Sequence, residues 1–238
     1  ALLAKITATP DLELLKGCDL IIEAVFEDPG VKAEMTKKVE AIIPEECIFA
    51  SNTSTLPISD LAKASVRPEQ FIGIHFFSPV ERMALVEIIK GAETGDRAVA
   101  KALDYVRQIR KTPIVVNDAR FFYANRCIIP YGNEATRMVT EGVAPVLIDH
   151  AAQQLGFPVG PIQLGDETSV DLAVRIMKAT KAAMGNAYPG SEADNLIVWM
   201  EDKGRLGRKS KAGYFDYDED GKRLGYWKGI HDKYPLAE

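Results

Sequence analysis

Cys18-Asp19-Leu20-Ile21-Ile22-Glu23-Ala24-Val25 is a nearly continuous apolar run, short enough to be a strand covered on both faces. Two runs of the same kind follow, Cys47 to Ala50 and Phe71 to Phe77. Between the first two, Val31, Met35, Val39, Ile42 and Ile43 recur at helical spacing behind Pro29, which suits a helix's first turn. Strands alternating with helices predict a parallel, helix-covered α/β sheet. A helix over residues 96–110 and an apolar run from Pro113 to Val116 complete this half. Beyond Asn117 the strand signals fade. Long helical patterns then cover Phe121 to about Glu141, Val146 to Leu155, Ser169 to Met184 and Glu192 to Lys203, with Gly156-Phe157-Pro158-Val159-Gly160-Pro161 as a rigid turn. Two domains are expected, residues 1–117 and an all-helical 118–238.

The chemistry sits at the ends of the apolar runs. Leu85-Val86-Glu87-Ile88-Ile89 buries a carboxylate between branched aliphatic residues, and a buried charge needs a partner. His75, in Gly73-Ile74-His75-Phe76-Phe77-Ser78-Pro79, is the nearest candidate. A histidine polarised by a buried carboxylate is a proton-transfer device; the competing reading is a hydrogen-bonded structural histidine and a glutamate on an exposed edge strand. In open α/β sheets ligands bind beyond the carboxyl ends of the strands, so Glu27, Ser51-Asn52-Thr53-Ser54 and His75 are expected to line one crevice.

The chain has 238 residues, 47% hydrophobic and 26% charged, enough to bury a sizeable core. A net charge of −5 gives no reason to expect a nucleic acid or anionic membrane partner. No apolar run reaches the roughly 18 residues needed to span a bilayer. Cys18, Cys47 and Cys127 form no CxxC pair, and His150 and His231 have no ligand-spaced neighbours, so no metal is expected and a reducing compartment is the simplest setting. The basic, glycine-punctuated run from Arg205 to Tyr214 lacks the order of a P-loop.

Ser-Asn-Thr-Ser at 51–54, His-Phe-Phe-Ser-Pro at 75–79, Leu-Val-Glu-Ile-Ile at 85–89 and Phe122-Tyr123-Ala124-Asn125-Arg126 with Pro130-Tyr131 resemble, in order and spacing, the L-3-hydroxyacyl-CoA dehydrogenase family. The resemblance runs from about Leu20 to about Tyr217. It implies a partial Rossmann-like, doubly wound sheet followed by a helical domain that binds substrate and dimerises. It also implies NAD as cofactor and an acyl-CoA substrate. By the same resemblance His75 is the catalytic base and Glu87 orients it, while Ser54 and Asn125 hydrogen-bond the substrate's oxygens. Glu27, Lys32, Asn52, Ala24 and Val25 are expected on the cofactor side, with Asn52 alternatively capping a helix near Pro57. Asp118-Ala119-Arg120-Phe121-Phe122 departs from the family's usual proline-glycine, so the hinge between domains is expected to differ.

The glycine-rich GxGxxG phosphate loop does not occur in this sequence. The chain therefore reads as a dehydrogenase region without its first strand and pyrophosphate cradle, expected to be inactive on its own. Gly17 to Asp28 and Glu81 to Glu87 are closest to the dehydrogenase part of bacterial multifunctional fatty-oxidation proteins, which implies a cytoplasmic setting and a hydratase neighbour. A stand-alone 3-hydroxybutyryl-CoA dehydrogenase is the alternative parent. A non-catalytic module that keeps the fold is the rival from another class. A homodimer is expected, or pairing with a second helical domain in the same polypeptide. The contact is placed after residue 118, through apolar residues such as Ile128, Met138, Val139, Leu147, Ile148, Leu172 and Val174, or at a sheet edge near Lys5 to Ala8.

Overall fold

A computed structural model describes residues 3–237, which divide into two compact units, one ending at Arg126 and the other starting at Cys127. In the first unit, β1 (Leu20–Glu23), β2 (Ile48–Ser51), β3 (Phe71–Phe76), β4 (Leu85–Lys90) and β5 (Thr112–Asn117) form one sheet in chain order. Strands β1 to β3 are parallel, β4 is antiparallel to β3, and β5 is parallel to β4. The sheet is therefore mixed rather than purely parallel. Only residues 77–84 join β3 to β4, too few for the crossover of about a dozen or more residues that parallel neighbours require. Lys5 to Ala8 form no strand, so the edge of the sheet is β1.

Side-chain alternation sorts this sheet into two cores. Ile48, Ala50, Ile72, Ile74, Val86 and Ile88 meet Ala98, Ala102 and Val106 of α3 (Asp96–Gln108). Each of the isoleucine and valine side chains here contributes about 1.5–3 kcal/mol by leaving water. Phe49, Phe71 and Ile89 face the other way, against Val39 of α1 (Pro29–Glu40), Ile58 and Leu61 of α2 (Ile58–Ala62) and Phe122. Helices cover both faces because strand direction reverses at β4 while the strand order keeps advancing, which moves the right-handed crossover to the opposite side. Gly73 lets α2 approach closely: a Cβ there would lie 2.7 Å from Ile58 Cδ1 and 2.9 Å from Ile89 Cβ.

The apolar stripe expected of this segment is buried in part, since Met35, Val39 and Ile43 join the core, but α1 buries polar residues beside it. Its inward face is Lys32, Thr36, Val39 and Glu40, while Val31 is exposed and the helix ends before Ile42 and Ile43. Polar side chains are tolerated there because each has a partner. Thr36 donates to the Lys32 carbonyl (2.9 Å), Glu40 accepts from Val66 N (2.8 Å), and Lys32 pairs with Glu23.

Helix α4 (Ala124–Thr140) supplies the last residues of the first unit and opens the second, which continues with α5 (Pro145–Gln154), α6 (Pro161–Thr168), α7 (Val170–Met184) and α8 (Glu192–Asp202). It is not all helical: β6 (Phe215–Tyr217) and β7 (Arg223–Tyr226) form an antiparallel hairpin. Val139, Ile148, Val174, Leu196, Met200 and Phe215 belong to its core, so Val139, Ile148 and Val174 are not available for an interface. Two buried aspartates tie α6 in place. Asp149 accepts from Ile162 N (2.8 Å) at the helix start, and Asp166 accepts from Tyr214 N (2.8 Å), Phe215 N (2.9 Å) and the Tyr217 hydroxyl (3.0 Å).

Candidate active site

The antiparallel register of β3 and β4 places His75 directly opposite Glu87, on the same sheet face as Gly73 and Ile89. Both side chains are buried, and Nδ1 of His75 lies 2.7 Å from Oε2 of Glu87. The other carboxylate oxygen accepts hydrogen bonds from the backbone N–H groups of Tyr123 (3.0 Å) and Ala124 (2.8 Å), where α4 begins. Burial alone would push the Glu87 carboxyl up. The hydrogen bonds from His75, Ala124 and Tyr123 outweigh it and hold the group below its ordinary range. Glu87 is therefore an anion that only accepts, so Nδ1 must be the donor, and an uncharged imidazole in this setting presents a bare Nε2. Among the described residues none hydrogen-bonds Nε2. Phe77 and Phe122 hold the ring, at centroid distances of 4.5 and 5.9 Å.

The segment that departs from proline-glycine is what delivers those N–H groups. Phe121 and Phe122 both adopt left-handed backbone, φ 68° and 49°, a conformation that costs an L residue about 1–2 kcal/mol. The turn buries the Phe122 ring beside His75 and aims the next two N–H groups at Glu87. Asp118 anchors its other end by accepting from Ile58 N (3.0 Å), Ser59 N (2.7 Å) and the Ser59 hydroxyl (2.6 Å) at the start of α2. Asp118, not Asn52, is thus the cap of that helix.

Beyond the carboxyl ends of β1 and β2 lie the remaining expected residues. Ser54 is exposed, and its hydroxyl meets no partner among the described residues, while its carbonyl accepts from Asn125 Nδ2 (3.0 Å). Asn52 accepts from Phe76 N (3.1 Å) and donates its own N–H to the Glu23 carbonyl (2.8 Å), stitching the loop to β3 beside His75. Glu27 gathers Thr53, Ser54 and Thr55 on one oxygen. Its carboxyl would be raised by burial, but the Thr53 hydroxyl, the Ser54 N–H and the Lys32 ammonium pull it below its usual value. Lys32 is 1% exposed, with Nζ 3.1 and 3.2 Å from Glu23 and 3.5 Å from Glu27. Glu23 also accepts from the Ser51 hydroxyl and from Val25 N (3.0 Å). Ala24 is exposed and Val25 half-buried at the end of β1.

Glu23 and Asp118 were not expected at the site, while Ser51 and Thr53, expected along the crevice, bond Glu23 and Glu27 there. Glu23 carries the same signal as Glu87, a carboxylate inside an apolar run, whereas the partners of Asp118 lie about 60 residues away and leave no local trace. The exposed shelf at Ala24, the half-exposed Glu27 carboxylate and the 52–54 loop fit the nicotinamide end of a dinucleotide: a small apolar surface bordered by a few polar groups. No group for the pyrophosphate follows from the sequence, which has no GxGxxG. Among the described residues no cluster of His, Cys, Asp or Glu has the makings of a metal site.

Comparison with known proteins identifies the family. A family model described as 3-hydroxyacyl-CoA dehydrogenase, NAD binding domain, matches residues 1–119, and the C-terminal domain of the same family matches residues 122–217. (S)-3-hydroxybutyryl-CoA dehydrogenase from Ralstonia eutropha is 34% identical, with a TM-score of 0.84 over 91% of this chain and 77% of that one. 3-Hydroxybutyryl-CoA dehydrogenase from Escherichia coli is 30% identical, with a TM-score of 0.80 over 87% of this chain and 44% of that one. The dehydrogenase part of multifunctional enzyme 1 from C. elegans is 28% identical, with a TM-score of 0.69 over 99% of this chain and 53% of that one. With the two domain models together matching most of the chain, it belongs to the 3-hydroxyacyl-CoA dehydrogenase family of NAD-dependent oxidoreductases.

Proposed function

We propose that Nε2 of His75 takes the hydroxyl proton of an L-3-hydroxyacyl-CoA as its C3 carbon is oxidised to a ketone, giving the 3-ketoacyl-CoA. The observation that carries this reading is the pairing of Nδ1 with a buried carboxylate that stays ionised, because it leaves Nε2 as the basic atom. As the proton moves, the imidazole becomes cationic next to the Glu87 anion, which stabilises it. Ser54 and Asn125 hold the substrate's oxygens, Ser54 through a hydroxyl that is otherwise free. Bound NAD supplies one thing, an acceptor for the hydride that leaves C3. Glu27, Asn52, Ala24 and Val25 border its nicotinamide end, and Lys32 acts there only by holding Glu27.

The reaction is assigned to fatty-acid β-oxidation in a bacterial cytoplasm, inside a longer polypeptide that also carries an enoyl-CoA hydratase. Supporting the longer parent, the dehydrogenase part of the C. elegans multifunctional neighbour matches over 99% of this chain. The higher identity of the Ralstonia enzyme, 34%, favours the second reading, a stand-alone 3-hydroxybutyryl-CoA dehydrogenase. A homodimer, or pairing with a second helical domain, is proposed through Ile128, Leu147, Leu155 and Phe157, large apolar side chains left exposed on the second unit.

The test is steady-state kinetics of His75→Ala in the full-length polypeptide. Turnover of L-3-hydroxyacyl-CoA is expected to fall at least about 10²-fold with NAD affinity unchanged. Near-normal turnover overturns the assignment.

A further inference from the structure

Besides bordering the nicotinamide end, Glu27 is bonded to the loop that carries Ser54. One oxygen of Glu27 receives four donors: the Thr53 hydroxyl (2.6 Å), Ser54 N (2.9 Å), Thr55 N (3.1 Å) and the Thr55 hydroxyl (3.2 Å). Four donors on one oxygen make the carboxylate an anchor for the loop. Thr53 is fully buried, and its oxygen also accepts from Leu56 N (3.0 Å), so its single proton is committed to Glu27. Beneath lies a charged ladder. The Ser51 hydroxyl bonds Glu23, Glu23 bonds Lys32, and Lys32 draws the second oxygen of Glu27 (3.5 Å), which leaves the first turned toward the loop. Ser54 is thereby tied at its N–H by Glu27 and at its carbonyl by Asn125, while its hydroxyl stays free.

We infer that Thr53 is a positioning residue for substrate binding, and that the Glu23–Lys32–Glu27–Thr53 network fixes the backbone from which Ser54 presents its hydroxyl. The inference rests on the proposed role of Ser54 toward the substrate's oxygens. Its action is through position only, since Thr53 itself is sealed from solvent. A hydrogen bond to a charged acceptor is lost when the hydroxyl is removed, whereas serine keeps it.

The test compares Thr53→Val with Thr53→Ser by calorimetric binding of acetoacetyl-CoA to this chain and by amide hydrogen exchange at residues 54–56. Thr53→Val is expected to weaken binding about tenfold and to speed exchange at Ser54 and Thr55 at least tenfold, with both restored in Thr53→Ser. Wild-type binding that is unaltered in Thr53→Val overturns the inference, even if exchange quickens, and so does an equal loss in Thr53→Ser. A wild-type chain that takes up no acetoacetyl-CoA overturns the proposed role of Ser54 toward the substrate, a different result from either.

Discussion

Replacing Glu87 by glutamine changes one atom, and the surroundings of that carboxylate dictate where the change falls. Its Oε1 accepts from two backbone N–H groups, Tyr123 and Ala124, so the amide oxygen of a glutamine must remain there. The NH₂ is then forced against Nδ1 of His75, at the position now 2.7 Å away. Facing a donor, Nδ1 must become the acceptor, and the imidazole proton moves to Nε2, where it blocks proton uptake from the substrate. The charge is lost as well: an anion about 4 Å from a developing imidazolium, at an effective dielectric of about 20, contributes roughly 4 kcal/mol. That corresponds to about a 10³-fold rate loss. We expect Glu87→Gln to lower kcat by about 10³-fold in the full-length polypeptide, as severe as loss of the histidine. KM for the acyl-CoA should change little, and unfolding free energy by no more than about 1–2 kcal/mol, because the shape and the two backbone bonds are kept. Turnover within tenfold of wild type would refute the reasoning.

Two further predictions concern stability. Lys32→Met leaves Glu23 as a buried carboxylate without its counter-ion, so urea unfolding should show a loss of about 3–5 kcal/mol; a loss below 1 kcal/mol would mean that the ladder is not charged. Burial pushes Asp166 up to about 6 from 3.8, despite the hydrogen bonds from Phe215, Tyr214 and Tyr217. The folded chain then holds this proton more tightly than the unfolded one, and the stability associated with it is complete below about pH 4 and lost as pH rises through 6. Measured against Asp166→Asn, wild-type stability should fall by up to about 3 kcal/mol between pH 4 and 7. A difference that does not vary with pH contradicts the shift.

The sequence carried the position of most elements because the apolar runs are short and well separated. Cys18 to Val25 shortened to Leu20–Glu23, and Ser169 to Met184 became Val170–Met184. Strand direction was hidden, since alternation has period two whichever way a strand runs. The helix-free connection over 77–84 was the available clue, and with it the His75–Glu87 pairing follows as a cross-strand contact. Two further elements of the second unit also carry local signals. Pro161 after Gly160 opens α6, and Asp220-Gly221 turns the hairpin between Phe215–Tyr217 and Arg223–Tyr226. The orientation of Lys32 was not legible. A lysine on a helix faces solvent by default, and only the arrival of Glu23 from the neighbouring strand makes its burial affordable. The two left-handed phenylalanines were equally opaque, because their conformation is imposed by what Asp118 and Glu87 hold at either end.

The central claim is that Glu87 fixes the proton of His75 on Nδ1 and leaves Nε2 bare. Nitrogen-15 NMR of selectively labelled histidine in this chain, recorded where the imidazole is uncharged, reads this directly. The account predicts a protonated Nδ1 and a proton-free Nε2 for His75, with the assignment reversed in Glu87→Gln; a proton on Nε2 in the wild-type chain would contradict it.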